Sequence, residues 1–162
     1  MIGRLLIGLA AVTTPLMAQT IPASEYAARR DSLAVRIGRG VVVAFGARTP
    51  VGWDRPSQLP AFRYLTGFME PDAALLIVVR DGRPSPVLFT QARDPRRQLY
   101  DGFPPDSLGV ERATGIPARS IAVLAPMLDS LAGAGWPVYT LRDYASNDVA
   151  EADSLTRGAS FM

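Results

Sequence analysis

The chain has 162 residues, a length that suits one domain, and 48% of them are hydrophobic, enough for a sizeable buried core. It contains no His and no Cys, and its 17 basic residues, all Arg, face 15 acidic ones for a net charge of +2. These absences exclude a Ser-His-Asp triad, a Cys nucleophile, nitrogen or sulfur metal ligands, a Schiff-base lysine and a P-loop lysine, and leave acid–base work to Asp, Glu or Tyr.

The first 20 residues differ from the rest. Arg4 supplies a positive start, Leu5 to Val12 form an apolar stretch continued by Pro15, Leu16 and Met17, and Ala18 is a small residue suited to cleavage before Gln19. This is the pattern of a secretory signal peptide, so an exported protein is expected. The apolar run is too short for a membrane anchor, which needs about 20 apolar residues. Without Cys, an exported protein must rely on core packing rather than disulfides.

A helix is predicted from Ser24 to Ile37, with Pro22 just before it and Glu25 in its first turn. Tyr26, Ala27, Leu33, Ala34 and Ile37 share one face, and Glu25, Arg29, Ser32 and Arg36 the other. Arg30 falls in the apolar stripe, where it is expected to snorkel or to pair with a carboxylate. After Gly38, the continuous apolar run Gly40 to Phe45 reads as a strand covered on both faces.

Residues 46–60 read as irregular, and Phe62 to Leu65 as a short strand. Gly67 and Pro71 interrupt the chain before a strand from Ala73 to Val79. The turn signal Asp81-Gly82 then makes Ala73 to Gln91 a hairpin, the clearest local pattern in the chain. Leu75, Ile77 and Val79 would face one side of the sheet, and Leu76 and Val78 the other.

Residues 92–119 are mixed in character, with Pro104-Pro105 and several charges. Ile121, Leu124, Leu128 and Leu131 mark an amphipathic helix with Ser120 as cap, its first turns limited by Pro126 and its end set by Gly133 and Gly135. Trp136 to Leu141 reads as a last strand. From Ser146 the chain is polar, with a loose helix over Asp148 to Thr156. The expected organisation is a signal peptide over 1–20, an α/β domain over 21–145 whose mixed β-sheet is flanked by helices, and the start of a linker over 146–162.

Several segments resemble one family in order. Ile21 to Arg30 is similar to the opening helix of Xaa-Pro aminopeptidases. The sharper match is Tyr64-Leu65-Thr66-Gly67-Phe68, followed by Glu70-Pro71-Asp72-Ala73 and an apolar strand. Leu88-Phe89, Arg93-Asp94-Pro95 and Tyr100-Asp101-Gly102 fit the segment that follows. The resemblance covers roughly residues 21–145. It implies the N-terminal α/β domain of the creatinase and prolidase group, placed before a catalytic domain of pita-bread fold. That second domain would hold two metal ions, usually manganese, on Asp, Asp, His, Glu and Glu, and a metal-bound hydroxide there would release the residue before proline. No catalytic residue, metal ligand or cofactor is expected in the present segment.

Single residues carry readings of their own. Gly67 and Pro71 shape the turn into the strand, or else line the mouth of an active site. Glu70 and Asp72 read as surface turn acids rather than a weak metal pair, and Asp148, Glu151 and Asp153 as a solvated face. Arg93, Arg96 and Arg97 form either a solvated loop or an ion-pairing contact to another subunit. Family members often carry Trp at the position of Tyr100, followed by Gly and Arg, and in some tetramers that aromatic reaches the active-site entrance of a neighbouring subunit. Here the aromatic and Gly102 remain, but Phe103-Pro104-Pro105 follows instead of Arg, so ordinary packing of Tyr100 is the competing reading. Trp53 is either an interface aromatic or a plug folded back on its own loop.

Two functional readings follow. One is the non-catalytic N-terminal domain of an exported Xaa-Pro metallo-aminopeptidase, contributing oligomer contacts and substrate gating. Its partners would be its own catalytic domain and other copies of itself, with peptide substrate met only through the full-length enzyme. The other is a stand-alone binding or assembly module of the same fold. No nucleic-acid partner is expected, since the chain has no long Arg run, and no membrane partner once the signal is cleaved.

Overall fold

Two strands too apolar to face water on either side lie next to each other inside the sheet. They are β1 (Gly40–Phe45) and β2 (Ala74–Arg80). The computed structural model describes residues 21–49, 57–92 and 105–141. Around these strands the element order is α1 (Ala23–Ile37), β1, α2 (Pro60–Thr66), β2, β3 (Arg83–Thr90), α3 (Ser107–Thr114), β4 (Ala118–Ser120), a 3-10 turn (Ile121–Val123), α4 (Leu124–Gly133) and β5 (Val138–Thr140).

The sheet has five strands in the order β4-β3-β2-β1-β5. β1 and β3 both run antiparallel to β2, with Val42 opposite Ile77 and Val87 opposite Leu76. The outer strands β5 and β4 add parallel to β1 and β3. This is the mixed α/β sheet that the element pattern predicts. The β2–β3 hairpin turns on Asp81 (φ 50°) and Gly82 (φ 71°), the positive-φ pair that a two-residue turn needs to match strand twist.

Strand alternation divides the core in two. On one face Val42, Leu75, Ile77, Val79 and Leu88 pack with Ala34 of α1, Phe62 and Leu65 of α2, and Val110 of α3. On the other, Val41, Val43, Leu76, Val78 and Phe89 pack with Leu124 at the start of α4, joined by the half-buried Met127, Leu128 and Leu131. Both faces of β2 are therefore covered, as its unbroken apolar run requires.

Three sequence expectations change. Phe62 to Leu65 is a turn of α2, not a strand. Pro60 opens the helix, Phe62, Leu65 and Thr66 point inward at helical spacing, and Gly67 closes it in the left-handed region. The stretch of mixed character after residue 92 contains α3 and leads into β4, elements its pattern does not predict; Asp106 caps α3 by accepting from the Gly109 N–H at 2.7 Å. Arg30 neither snorkels nor meets a carboxylate. It is 4% exposed and donates to the Leu65 carbonyl at 2.8 Å. The predicted helix after Ser120 does form, with a 3-10 turn as its first turn and the Ser120 hydroxyl accepting from Ala122 N–H. The predicted last strand narrows to Val138–Thr140.

Candidate functional site

A seven-residue helix leaves most of its carbonyls without an internal partner. In α2 two arginines from α1 meet this need. Arg30 reaches the Leu65 carbonyl and Arg29 the Tyr64 carbonyl at 3.1 Å, so two positive charges sit at the negative end of the α2 dipole. Burial holds the Arg30 guanidinium below the usual arginine value, and the neighbouring Asp31 raises it in part. The Arg29 guanidinium also lies 4.4 Å from the Tyr64 ring centroid and 5.1 Å from that of Tyr26, and pairs with Glu25 at 3.2 Å.

The rest of the Tyr64-to-Phe68 motif ends α2. Thr66 is buried; its hydroxyl donates to the Phe62 carbonyl at 2.8 Å and accepts from Phe68 N–H at 3.0 Å. Gly67 takes φ 66°, and a Cβ there would lie 2.5 Å from the Tyr26 ring. Phe68 then returns to the core. α3 stops in the same way, with Thr114 donating to the Val110 carbonyl, accepting from Ile116 N–H, and Gly115 in the left-handed region.

Beyond the helix, the chain enters β2 through a hydrogen-bonded knot. The Gln58 side chain accepts from Ala47 N–H at 2.6 Å and Leu59 N–H at 3.0 Å, and donates to the Glu70 carbonyl at 3.0 Å. The Asp72 carboxylate accepts from the Thr49 hydroxyl and backbone N–H, and its own N–H donates to the Ala47 carbonyl at 2.8 Å. The loop after β1 is thereby tied to the loop before β2.

The predicted site residues thus separate. Tyr64 is 57% exposed and serves as the platform for Arg29. Gly67 ends α2 in the left-handed region and lies against the Tyr26 ring, and Pro71 lies in the bend before β2. Glu70 is exposed and contributes its backbone, while Asp72 turns its carboxylate back onto Thr49; the two behave as turn residues. Arg93, Arg96, Arg97 and Tyr100 lie outside the described residues, as do Trp53, Asp148, Glu151 and Asp153. Sequence reasoning missed Gln58 and the capping arginines. A polar residue directly before Leu59-Pro60, and an arginine in an apolar stripe, were the available signals.

Among the described residues no three His, Cys, Asp or Glu side chains converge as a metal site would require. What the arrangement provides is a hydrogen-bonded frame joining α1 to α2 and the loop after β1 to the loop before β2.

The comparisons with known proteins agree with this frame. The family model for the aminopeptidase P N-terminal domain matches residues 26–139. The chain is 44% identical over 52 residues to the Xaa-Pro aminopeptidase of Haemophilus influenzae, covering 32% of this chain and 11% of that protein. It is 39% identical over 59 residues to Xaa-Pro aminopeptidase 3 of Homo sapiens, covering 34% of this chain and 12% of that protein. Among solved structures, the low-pH form of aminopeptidase P from E. coli superposes with a TM-score of 0.62 at 24% identity, over 70% of this chain and 27% of that one. Proline aminopeptidase P II from Yersinia pestis gives 0.60 at 26% identity, over 68% of this chain and 27% of that one. The chain therefore spans about a tenth of the length of the curated relatives in the matched region, and about a quarter of the solved structures. Residues 26–139 carry the fold and the motifs of one domain, and the chain belongs to the aminopeptidase P N-terminal domain family.

Proposed function

We propose that this domain serves an exported Xaa-Pro metallo-aminopeptidase without catalysing the reaction itself, acting through contacts with its catalytic domain and with other subunits, and at the substrate entrance. The observation that carries the reading is the family match over residues 26–139 in a chain with no His, Cys or Lys. Two manganese ions would belong to the catalytic domain. The side chains of this segment do not suit such a centre: His is absent from the chain, and no ligand group converges among the described residues. No step of metal chemistry is therefore assigned to it.

Activity measurements test this directly. The purified chain should not hydrolyse Xaa-Pro peptides with or without Mn²⁺, and turnover by a clean preparation would overturn the reading. The DNA after the Met162 codon separates it from a stand-alone module: an open frame with His-containing metal motifs supports the enzyme domain, and a stop codon supports the module. Export is tested by mass spectrometry of secreted protein, where an N-terminus near Gln19 is expected and an intact Met1 on cytoplasmic product would refute it. If Tyr100 serves the entrance, Tyr100→Ala in the full-length enzyme should raise KM or weaken assembly while costing under about 1 kcal/mol of monomer stability. The same enzyme with Arg93, Arg96 and Arg97 changed to Gln should lose subunit association if those residues form an inter-subunit contact.

A further inference from the structure

One corner of the molecule collects arginines that form no ion pair among the described residues. The β2–β3 turn docks on the turn after α1, where Gly82 N–H donates to the Gly38 carbonyl at 2.8 Å. That contact brings together Arg36 in the last turn of α1, Arg39 just before β1, and the direct cross-strand neighbours Arg80 and Arg83. Val41 N–H donates to the Pro137 carbonyl at 2.8 Å, which places Trp136 at the same corner. The guanidinium carbons of Arg39 and Arg80 lie 4.4 and 5.3 Å from the Trp136 ring centroid. All four arginines are exposed, and none forms an ion pair with a described residue. Asp81 is the one carboxylate in segments 35–41, 79–83 and 136–139.

Two guanidinium groups held against one indole repel each other, and the π face of the ring offsets this only partly. An incoming carboxylate would relieve the repulsion through charge-assisted bonds to either arginine. Arginine beside Trp is a pairing enriched at protein-binding surfaces. We propose that this corner docks an acidic segment of a protein partner, with carboxylates on Arg39 and Arg80 and the segment's apolar atoms on the Trp136 ring. This inference does not depend on the enzyme reading.

Trp136 is also the reporter. In the full chain carrying Trp53→Phe it is the remaining tryptophan, and its fluorescence can be followed during titration with a deca-glutamate peptide. A saturable change that weakens as salt rises is expected. Arg39→Gln with Arg80→Gln should weaken binding by about tenfold or more, while Arg63→Gln with Arg119→Gln, exposed arginines elsewhere, should not. An unchanged Tm shows that each variant remains folded. Absence of binding, or equal loss in both pairs, would overturn the proposal. So would tighter, Arg39- and Arg80-dependent binding of phosphatidylglycerol vesicles or a ten-nucleotide oligo-dT, which would assign the corner to a membrane or a nucleic acid.

Discussion

Arg30 on the first helix and Leu65 on the second, 35 positions apart in the chain, are joined by a guanidinium–carbonyl bond of 2.8 Å that is buried from water. The two segments that most resemble the family, the opening helix and the Tyr64-to-Ala73 motif, are thus the two halves of one contact. Gly67 against the Tyr26 ring and Arg29 over Tyr64 belong to the same contact.

Removing Arg30 tests that contact most directly. Arg30→Ala leaves the Leu65 carbonyl buried without a donor and removes a packed aliphatic stem. A hydrogen bond to a charged group is worth about 1.5–3 kcal/mol, so a loss of at least about 2 kcal/mol is expected in urea unfolding. A change below about 0.5 kcal/mol, the range of ordinary surface substitutions, would show that the bond contributes little.

Gly67→Ala should be destabilising for two separable reasons. The left-handed backbone costs a non-glycine residue about 1–2 kcal/mol, and the new methyl group must displace the Tyr26 ring, which a Cβ would approach to 2.5 Å. Placing Gly67→Ala in a Tyr26→Ala background removes the second cost and leaves the first. A double-mutant cycle should therefore show coupling of about 0.5 kcal/mol or more, as contacting residues do. Strict additivity would mean that the ring is not held there.

The sheet's centre gives a control on both core faces. Leu76 and Ile77 point to opposite sides of β2 and are each within 1% of fully buried. Leu76→Ala and Ile77→Ala should each cost about 2–5 kcal/mol. Leu108 on α3, 67% exposed, should tolerate alanine within about 0.5 kcal/mol. If either strand variant were nearly neutral, one face of the sheet would be uncovered.

These cases also show what a single sequence can reveal. β1, β2 and the hairpin were legible because an uninterrupted apolar run and an Asp-Gly turn are local signals. α2 was not, because four residues with three apolar side chains satisfy a strand and a helix turn equally; the decision lies with Pro60, Gly67 and the arginines of α1. α3 is a short helix whose one deeply buried apolar residue is Val110, so its periodicity barely registers. Gln58 was not legible, because two of its three partners, Ala47 and Glu70, come from segments that only the folded chain brings to it.

Gln58 supplies the last prediction. It is the central side chain of the knot between the loop after β1 and the loop before β2, and its amide serves two donors and one acceptor at once. Gln58→Ala strips these groups of their partner. Leaving a buried polar group unmet costs about 1–3 kcal/mol, and Ala47 N–H, whose 2.6 Å bond is the shortest of the three, bears most of it. The damage should be local. Ala47 and Thr49 sit at the sheet's margin, and Asp72 holds Thr49 from the other side, whereas the β1–β2 ladder has its own bonds. Hydrogen exchange distinguishes local opening from global loss: the Ala47 amide should exchange faster in Gln58→Ala by a larger factor than the amides of Val42 and Ile77. Equal acceleration at all three would mean that Gln58 supports the whole domain rather than its loops. The Gln58→Ala, Asp72→Ala double variant should then free Thr49 as well, since each side chain ties the same loop at a different point.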